Sequence, residues 1–188
     1  MTTYPRIFLA YVLASIFCLG CWYYNPVPIP QVPVHAITSA DVIAEVQREL
    51  KQKEIDKAAV VSARLYRAYG CPVALAQPTA VNSVTYHVPV RLSTAVVIVE
   101  STCRPRAISK AGAVGYWQVM PKLHHTTRKA LYDRDTNFEI GTRYLSFLIH
   151  RDGMETGVAE YFGVTPGSDA AWDYAFHVFE VAGYRTNQ

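Results

Sequence analysis

Glu100 closes an uncharged run, Leu92 to Val99. If that run is a buried helix, a carboxyl at its end loses the hydration that its charged form needs most, so its pKa rises and a proton stays available near neutral pH. That is the property of a general acid. An ordinary helix-end glutamate open to water is the alternative, and Glu100 alone does not choose between them. Its neighbours add chemistry. Ser101 follows directly, and "AGAVGYWQVMP" from Ala111 to Pro121 supplies Gly112 and Gly115, which let a backbone approach a ligand closely. Within it Gln118 carries an amide that both donates and accepts, suited to an N-acetyl group or a hydroxyl. Tyr116 and Trp117 offer flat faces to sugar rings, or fill a core as aromatics equally do.

Other chemistries find less support. A glycosidase that activates water needs a second carboxylate. Asp133, Asp135, Glu139 and Glu160 are the rivals for that role, and helix caps and solvated charges account better for the first three. Ser101 lacks a visible His and acid arrangement for nucleophilic work. His124 and His125 would need two further metal ligands, and no H-E-x-x-H pattern supplies them, so neither a metal nor a cofactor is expected.

The elements that must position Glu100 read as helices. Val96, Val97, Ile98 and Val99 taken alone suit a strand, but Pro89 precedes the segment and helical patterns dominate the chain beyond it. Ile140, Tyr144, Leu145 and Leu148 recur at helical spacing over 137–150, and an apolar-aromatic stripe runs over 171–181. Upstream, a helix is expected over 41–69, with Ile43, Val46 and Leu50, then Ala58, Val61 and Leu65, on one face. "KQKEIDK" interrupts that stripe, leaving one long stalk helix or two shorter ones, ended by Gly70 and Pro72. "CPVALAQPTA" reads as a loop by its two prolines, and 79–87 as a short helix. Cys71 and Cys103 either join, closing a loop of about thirty residues and stabilising by roughly 3 to 4 kcal/mol, or remain two buried thiols.

The 188 residues leave room for one domain and an appendage, and the 51% hydrophobic content is concentrated at the N-terminus. Ile7 to Tyr24 is uncharged and long enough to span a bilayer. Arg6 before it and the Trp22, Tyr23, Tyr24 cluster at its end make 1–24 a transmembrane signal anchor in the inner membrane, with the rest in the periplasm. Lipid attachment at Cys21 is the alternative. Residues 25–40, with prolines at 26, 28, 30 and 33, read as a semi-rigid linker. The net charge of +3 is modest and gathers into no basic block, so nucleic acid is not an expected partner.

Taken together, Glu100 and Ser101, followed by Ala107, Ser109, Gly112, Ala113, Gly115, Gln118, Met120 and Pro121, resemble the "ES" and "AxSxxGAxGxxQxMP" signature of the lytic transglycosylase (SLT) family. Asn137, Ile140, Gly141, Tyr144 and Leu145 resemble a following helix, Tyr161 with Pro166 and Gly167 the "AAYNAGPG" segment, and Tyr174 with Val178 a terminal Tyr-Val motif. The resemblance implies a mainly α, goose-type-lysozyme-like domain over 79–188, with residues 41–78 outside it as stalk and loop. It also implies cleavage of the bond between N-acetylmuramic acid and N-acetylglucosamine in peptidoglycan. Glu100 would be the acid, and Ser101, Gln118, Tyr116, Trp117, Tyr161 and Tyr174 would contact substrate. The chain departs from the pattern at Phe162, where the family has Asn, at Tyr116 and Trp117, where Leu and Met are commoner, and at Glu160, where Ala is usual. A non-catalytic wall-binding module and a water-using lysozyme are the rival functions. An envelope-spanning secretion or conjugation machine, or a virion, is the expected setting.

Overall fold

The computed structural model describes residues 38–163 and 167–184. The expected anchor, the Cys21 alternative and almost all of the linker lie outside them. Among the described residues, no helix is long and apolar enough to cross a membrane. From Ser39 onward the chain forms one compact unit of helices.

Helix α1, Ser39–Ala68, is a single unbroken helix that takes in the last two residues assigned to the linker. Its two halves differ. Ile43, Val46 and Leu50, the expected packing stripe, are exposed, whereas Ile55, Ser62 and Tyr66 are buried. The Tyr66 hydroxyl shares a 2.8 Å hydrogen bond with Thr79 Oγ1, and Ser62 Oγ a 2.8 Å bond with Thr94 Oγ1. The second half of the expected stalk is therefore a core helix, because it alone brings a fully buried aromatic and matched hydroxyls to its neighbours.

The segment read as a loop is instead a 3₁₀ turn, Val73–Leu75, running into helix α2, Ala76–Thr85. Pro78 is compatible with that helix because it stands in the first turn, where a backbone N–H has no intrahelical partner to lose. Helix α3, Val90–Ser101, follows Pro89 and buries every residue from Leu92 to Ile98. It packs against α1 and α2 and against the last helix. Burial on all sides explains its β-branched content, since contact with neighbours outweighs the small helix-propensity cost of Val and Ile. Thr102 and Cys103 then adopt left-handed conformations (φ 50° and 60°), and Cys103 is disulfide-bonded to Cys71 with Cα atoms 5.8 Å apart.

Helix α4, Arg134–Asp152, is capped by Asp133, whose carboxylate accepts from Thr136 N at 2.8 Å. Helix α5, Met154–Tyr161, was not anticipated as an element; it lies against α4 at Gly157, where a Cβ would stand 2.7 Å from Ile149 N. Helix α6, Asp169–Ala182, is capped by Ser168 and covers α3 and α5. Between α3 and α4 runs a long connection whose only pairing is two isolated antiparallel bridges, Ile108 with Val114 and Val114 with Val119. This connection forms one wall of the site.

Candidate functional site

Glu100, in the last turn of α3, stands beside a cleft of about 410 Å³. Burial pushes its pKa from the ordinary 4.5 up to about 7, against the opposing pull of a hydrogen bond from Tyr174. That bond runs 2.6 Å from the Tyr174 hydroxyl to Glu100 Oε1. Tyr174 comes from α6 and is buried, and its own pKa is held well above the ordinary tyrosine value, by burial first and then by the neighbouring carboxylate. It therefore stays a neutral donor.

The connection after α3 is folded tightly against this acid. Gly115 (φ 80°) allows a close approach by Asn137, whose Nδ2 lies 2.4 Å from where a Cβ would be. Asn137 staples the turn: its Nδ2 donates to Val114 O at 2.9 Å and Leu131 O at 3.2 Å, and its Oδ1 accepts from Trp117 N at 2.9 Å. Gln118, itself left-handed (φ 46°), donates through Nε2 to Gly115 O at 2.9 Å and Ala107 O at 3.2 Å. With the amide hydrogens engaged, the group Gln118 offers a ligand is its side-chain carbonyl.

The expected contact residues divide. Gln118 and Tyr161 line the cleft with Glu100, and Tyr161 is fixed by a 2.8 Å bond from its hydroxyl to Trp117 O. Tyr174 acts on Glu100. Trp117 is not a sugar face: it is fully buried, edge-on to Phe138 and Tyr161, in a space that exists because residue 141 is glycine. A Cβ on Gly141 would lie 2.4 Å from Trp117 Cγ. Ser101 is likewise buried, donating to Val97 O at 3.0 Å, as a helical serine does when no ligand competes. Tyr116 packs edge-on to Phe138 at 5.4 Å and does not line the cleft.

Residues outside the expected set of substrate contacts complete the wall. His124 stands edge-on to Tyr144 at 4.9 Å, and Tyr144 meets Tyr161 at 5.6 Å. Burial, then the nearby Arg143 and His125, lowers the His124 pKa and keeps the ring neutral. Phe162, 43% exposed, stacks on Tyr174 with centroids 4.9 Å apart. It closes over the ring that holds Glu100.

Among the described lining residues Glu100 is the one carboxylate. Asp133 caps α4, Asp135 pairs with Arg134 at 2.7 Å, and Glu139 pairs with Arg143 at 3.5 Å. Those three border a separate, more open hollow with Gln77 and Asn82. Glu160 is paired with Arg151. The cleft can thus give and retake a proton, but among its described residues it presents no second acid to activate water.

Residues 78–160 match the family model described as Transglycosylase SLT domain. The membrane-bound lytic murein transglycosylase E of Buchnera aphidicola subsp. Acyrthosiphon pisum (strain APS) is 36% identical over 75 residues, covering 34% of this chain and 34% of that protein. The chain thus matches about a third of that relative's length. The segment 78–160, which carries Glu100, the Gln118 turn and the Asn137 staple, is thus the part of the chain that is similar to a transglycosylase SLT domain.

Proposed function

We propose that this chain is a peptidoglycan lytic transglycosylase that cleaves the β-1,4 bond between N-acetylmuramic acid and N-acetylglucosamine. The observation that carries the reading is a single carboxyl, its pKa raised to about 7 so that about half of it keeps its proton at neutral pH, in a cleft whose described lining holds no other acid. Glu100 donates its proton to the bridging oxygen as the C1–O bond breaks, freeing the 4-hydroxyl of N-acetylglucosamine. The resulting carboxylate takes the proton of the muramyl 6-hydroxyl as that oxygen bonds to C1. A 1,6-anhydro end forms, no water is consumed, and Glu100 is again protonated. The Tyr174 hydroxyl stabilises the carboxylate midway, and the Gln118 carbonyl is placed to accept from a sugar amide or hydroxyl.

The matched relative is named membrane-bound. With the uncharged run Ile7 to Tyr24 behind Arg6, this supports a single-pass inner-membrane anchor holding the domain in the periplasm. A small tethered domain of this kind suits local wall opening for a virion or for a secretion or conjugation machine.

The test is incubation of the full chain with sacculi beside its Glu100→Gln variant, with soluble fragments weighed by mass spectrometry. Fragments lighter by one water than hydrolysis products, and absent with the variant, are expected. Reducing-end fragments would make the protein a lysozyme. Binding without release would make it a wall-binding module.

A further inference from the structure

Charge is distributed unevenly around the cleft. Between Glu100 and Asp133 the chain carries Arg104, Arg106, Lys110, Lys122, Arg128 and Lys129 and no acid, whereas Asp133 to Tyr184 carries nine acids against three cations. The modest net charge hides this polarity. The acid-free segment is the one that builds the Gln118 wall. Lys110 is itself in the cleft lining, and Lys122 directly precedes Leu123 and His124, which also line it. Both lysines are exposed. Arg104 donates to Ser101 O at 3.0 Å and Arg106 lies over the Tyr132 ring at 5.7 Å. Lys110, Lys122, Arg128 and Lys129, by contrast, enter no ion pair among the described residues. The wall is therefore a positive surface that the described part of the fold leaves uncompensated, and its natural complement is a ligand with repeated negative charges.

We propose that Lys110 and Lys122 form a cationic rim that binds the free carboxylates of the peptides hanging from a glycan strand while the cleft holds the sugars. The inference rests on the peptidoglycan reading above and assigns what recognises the strand's peptides. A lipid surface fits less well. Lys110 lies in the lining of the cleft, where a threaded strand presents its side peptides at intervals, and a flat headgroup layer reaches such a position poorly.

The experiment measures binding of the full chain, carrying Glu100→Gln to prevent digestion, to surface-immobilised intact sacculi, to immobilised glycan strands stripped of peptides by an amidase, and to anionic vesicles. The chain is expected to prefer intact sacculi, with binding that weakens as salt rises. Adding Lys110→Gln and Lys122→Gln should lower binding to intact sacculi roughly fivefold or more and should abolish the preference. Equal binding of the two substrates before the lysines are changed, or a preference that survives their loss, overturns the proposal. So does an effect confined to anionic vesicles, with sacculus binding unaltered. If the preference behaves as expected but the unmodified chain releases no fragments, the rim stands and the transglycosylase reading falls.

Discussion

Replacing Glu100 by Gln should stabilise the protein, and by an amount that depends on pH. The carboxyl has a pKa of about 7 in the fold against an ordinary 4.5. Below 4.5 the native and unfolded chains both carry a neutral acid there, so its burial brings no ionic penalty. As pH rises from 4.5 to about 7 the unfolded chain ionises first. Native stability falls through that window and levels off above it. At 1.36 kcal/mol per pH unit the loss reaches about 3 kcal/mol. Gln is isosteric, never ionises, and retains an oxygen to accept from the Tyr174 hydroxyl. The variant should thus match the unmodified protein at pH 4 and exceed it by about 3 kcal/mol at pH 8. For a domain of this size that is roughly 6 to 12 °C in Tm. Thermal unfolding of both proteins, followed by circular dichroism at the two pH values, reads the difference directly. An equal shift at both would mean that the gain is packing rather than charge, and no shift at pH 8 would mean that the carboxyl is hydrated in the fold.

Tyr174→Phe removes the one contact that holds the Glu100 pKa down. The alkaline limb of a pH profile of fragment release, where Glu100 loses its proton, should move up by about one to two units, given roughly 1.5 to 3 kcal/mol for a charged hydrogen bond; an unmoved limb would assign that limb to another group. Gly141→Ala places a Cβ 2.4 Å from Trp117 Cγ with no room to yield. It should destabilise by about 1 to 3 kcal/mol in urea unfolding and lower activity through the Gln118 turn next to Trp117. Changing Cys71 and Cys103 together to Ser should cost about 3 to 4 kcal/mol, read as a lower urea midpoint that reductant no longer alters.

How much of this was legible in the sequence depends on what each residue answers to. The helical identity of α3 could be read because Pro89 and the helical patterns downstream outweighed its β-branched run. The start of α2 could not, because Pro78 marks a helix's first turn and a loop equally well. In α1 the stripe of Ile43, Val46 and Leu50 has the right period, but periodicity does not say whether a neighbour is there to cover it; Ser62 and Tyr66 are what meet the core. At the site, the placing of Glu100 and Gln118 at one cleft was legible because the chemistry expected of them rests on their own side chains. Trp117 was not, since an aromatic beside a cleft can face either way, and the clue to its direction is Gly141 in a different helix. Asn137 looked like a helix residue and acts as a staple. His124 and Tyr144 reach the cleft only through the packing of α4 against the connection, and no local pattern announces that.

The same physics ties the acid to the disulfide beside it. The easiest relief for a desolvated carboxyl in the last turn of a helix is for that turn to fray and admit water. Here the turn is held from both ends. Ser101 Oγ bonds back to Val97 O at 3.0 Å, and both the backbone N and the Nε of Arg104 reach Ser101 O. Beyond Thr102, itself left-handed, Cys103 is covalently bonded to Cys71, just past the C-terminal end of α1. A cross-link worth about 3 to 4 kcal/mol is of the same size as the penalty at Glu100, about 3 kcal/mol. Loss of the cross-link should therefore do more than lower the unfolding midpoint. It should let the carboxyl rehydrate and pull the alkaline limb of the activity profile down toward ordinary glutamate values, opposite in direction to the effect of Tyr174→Phe.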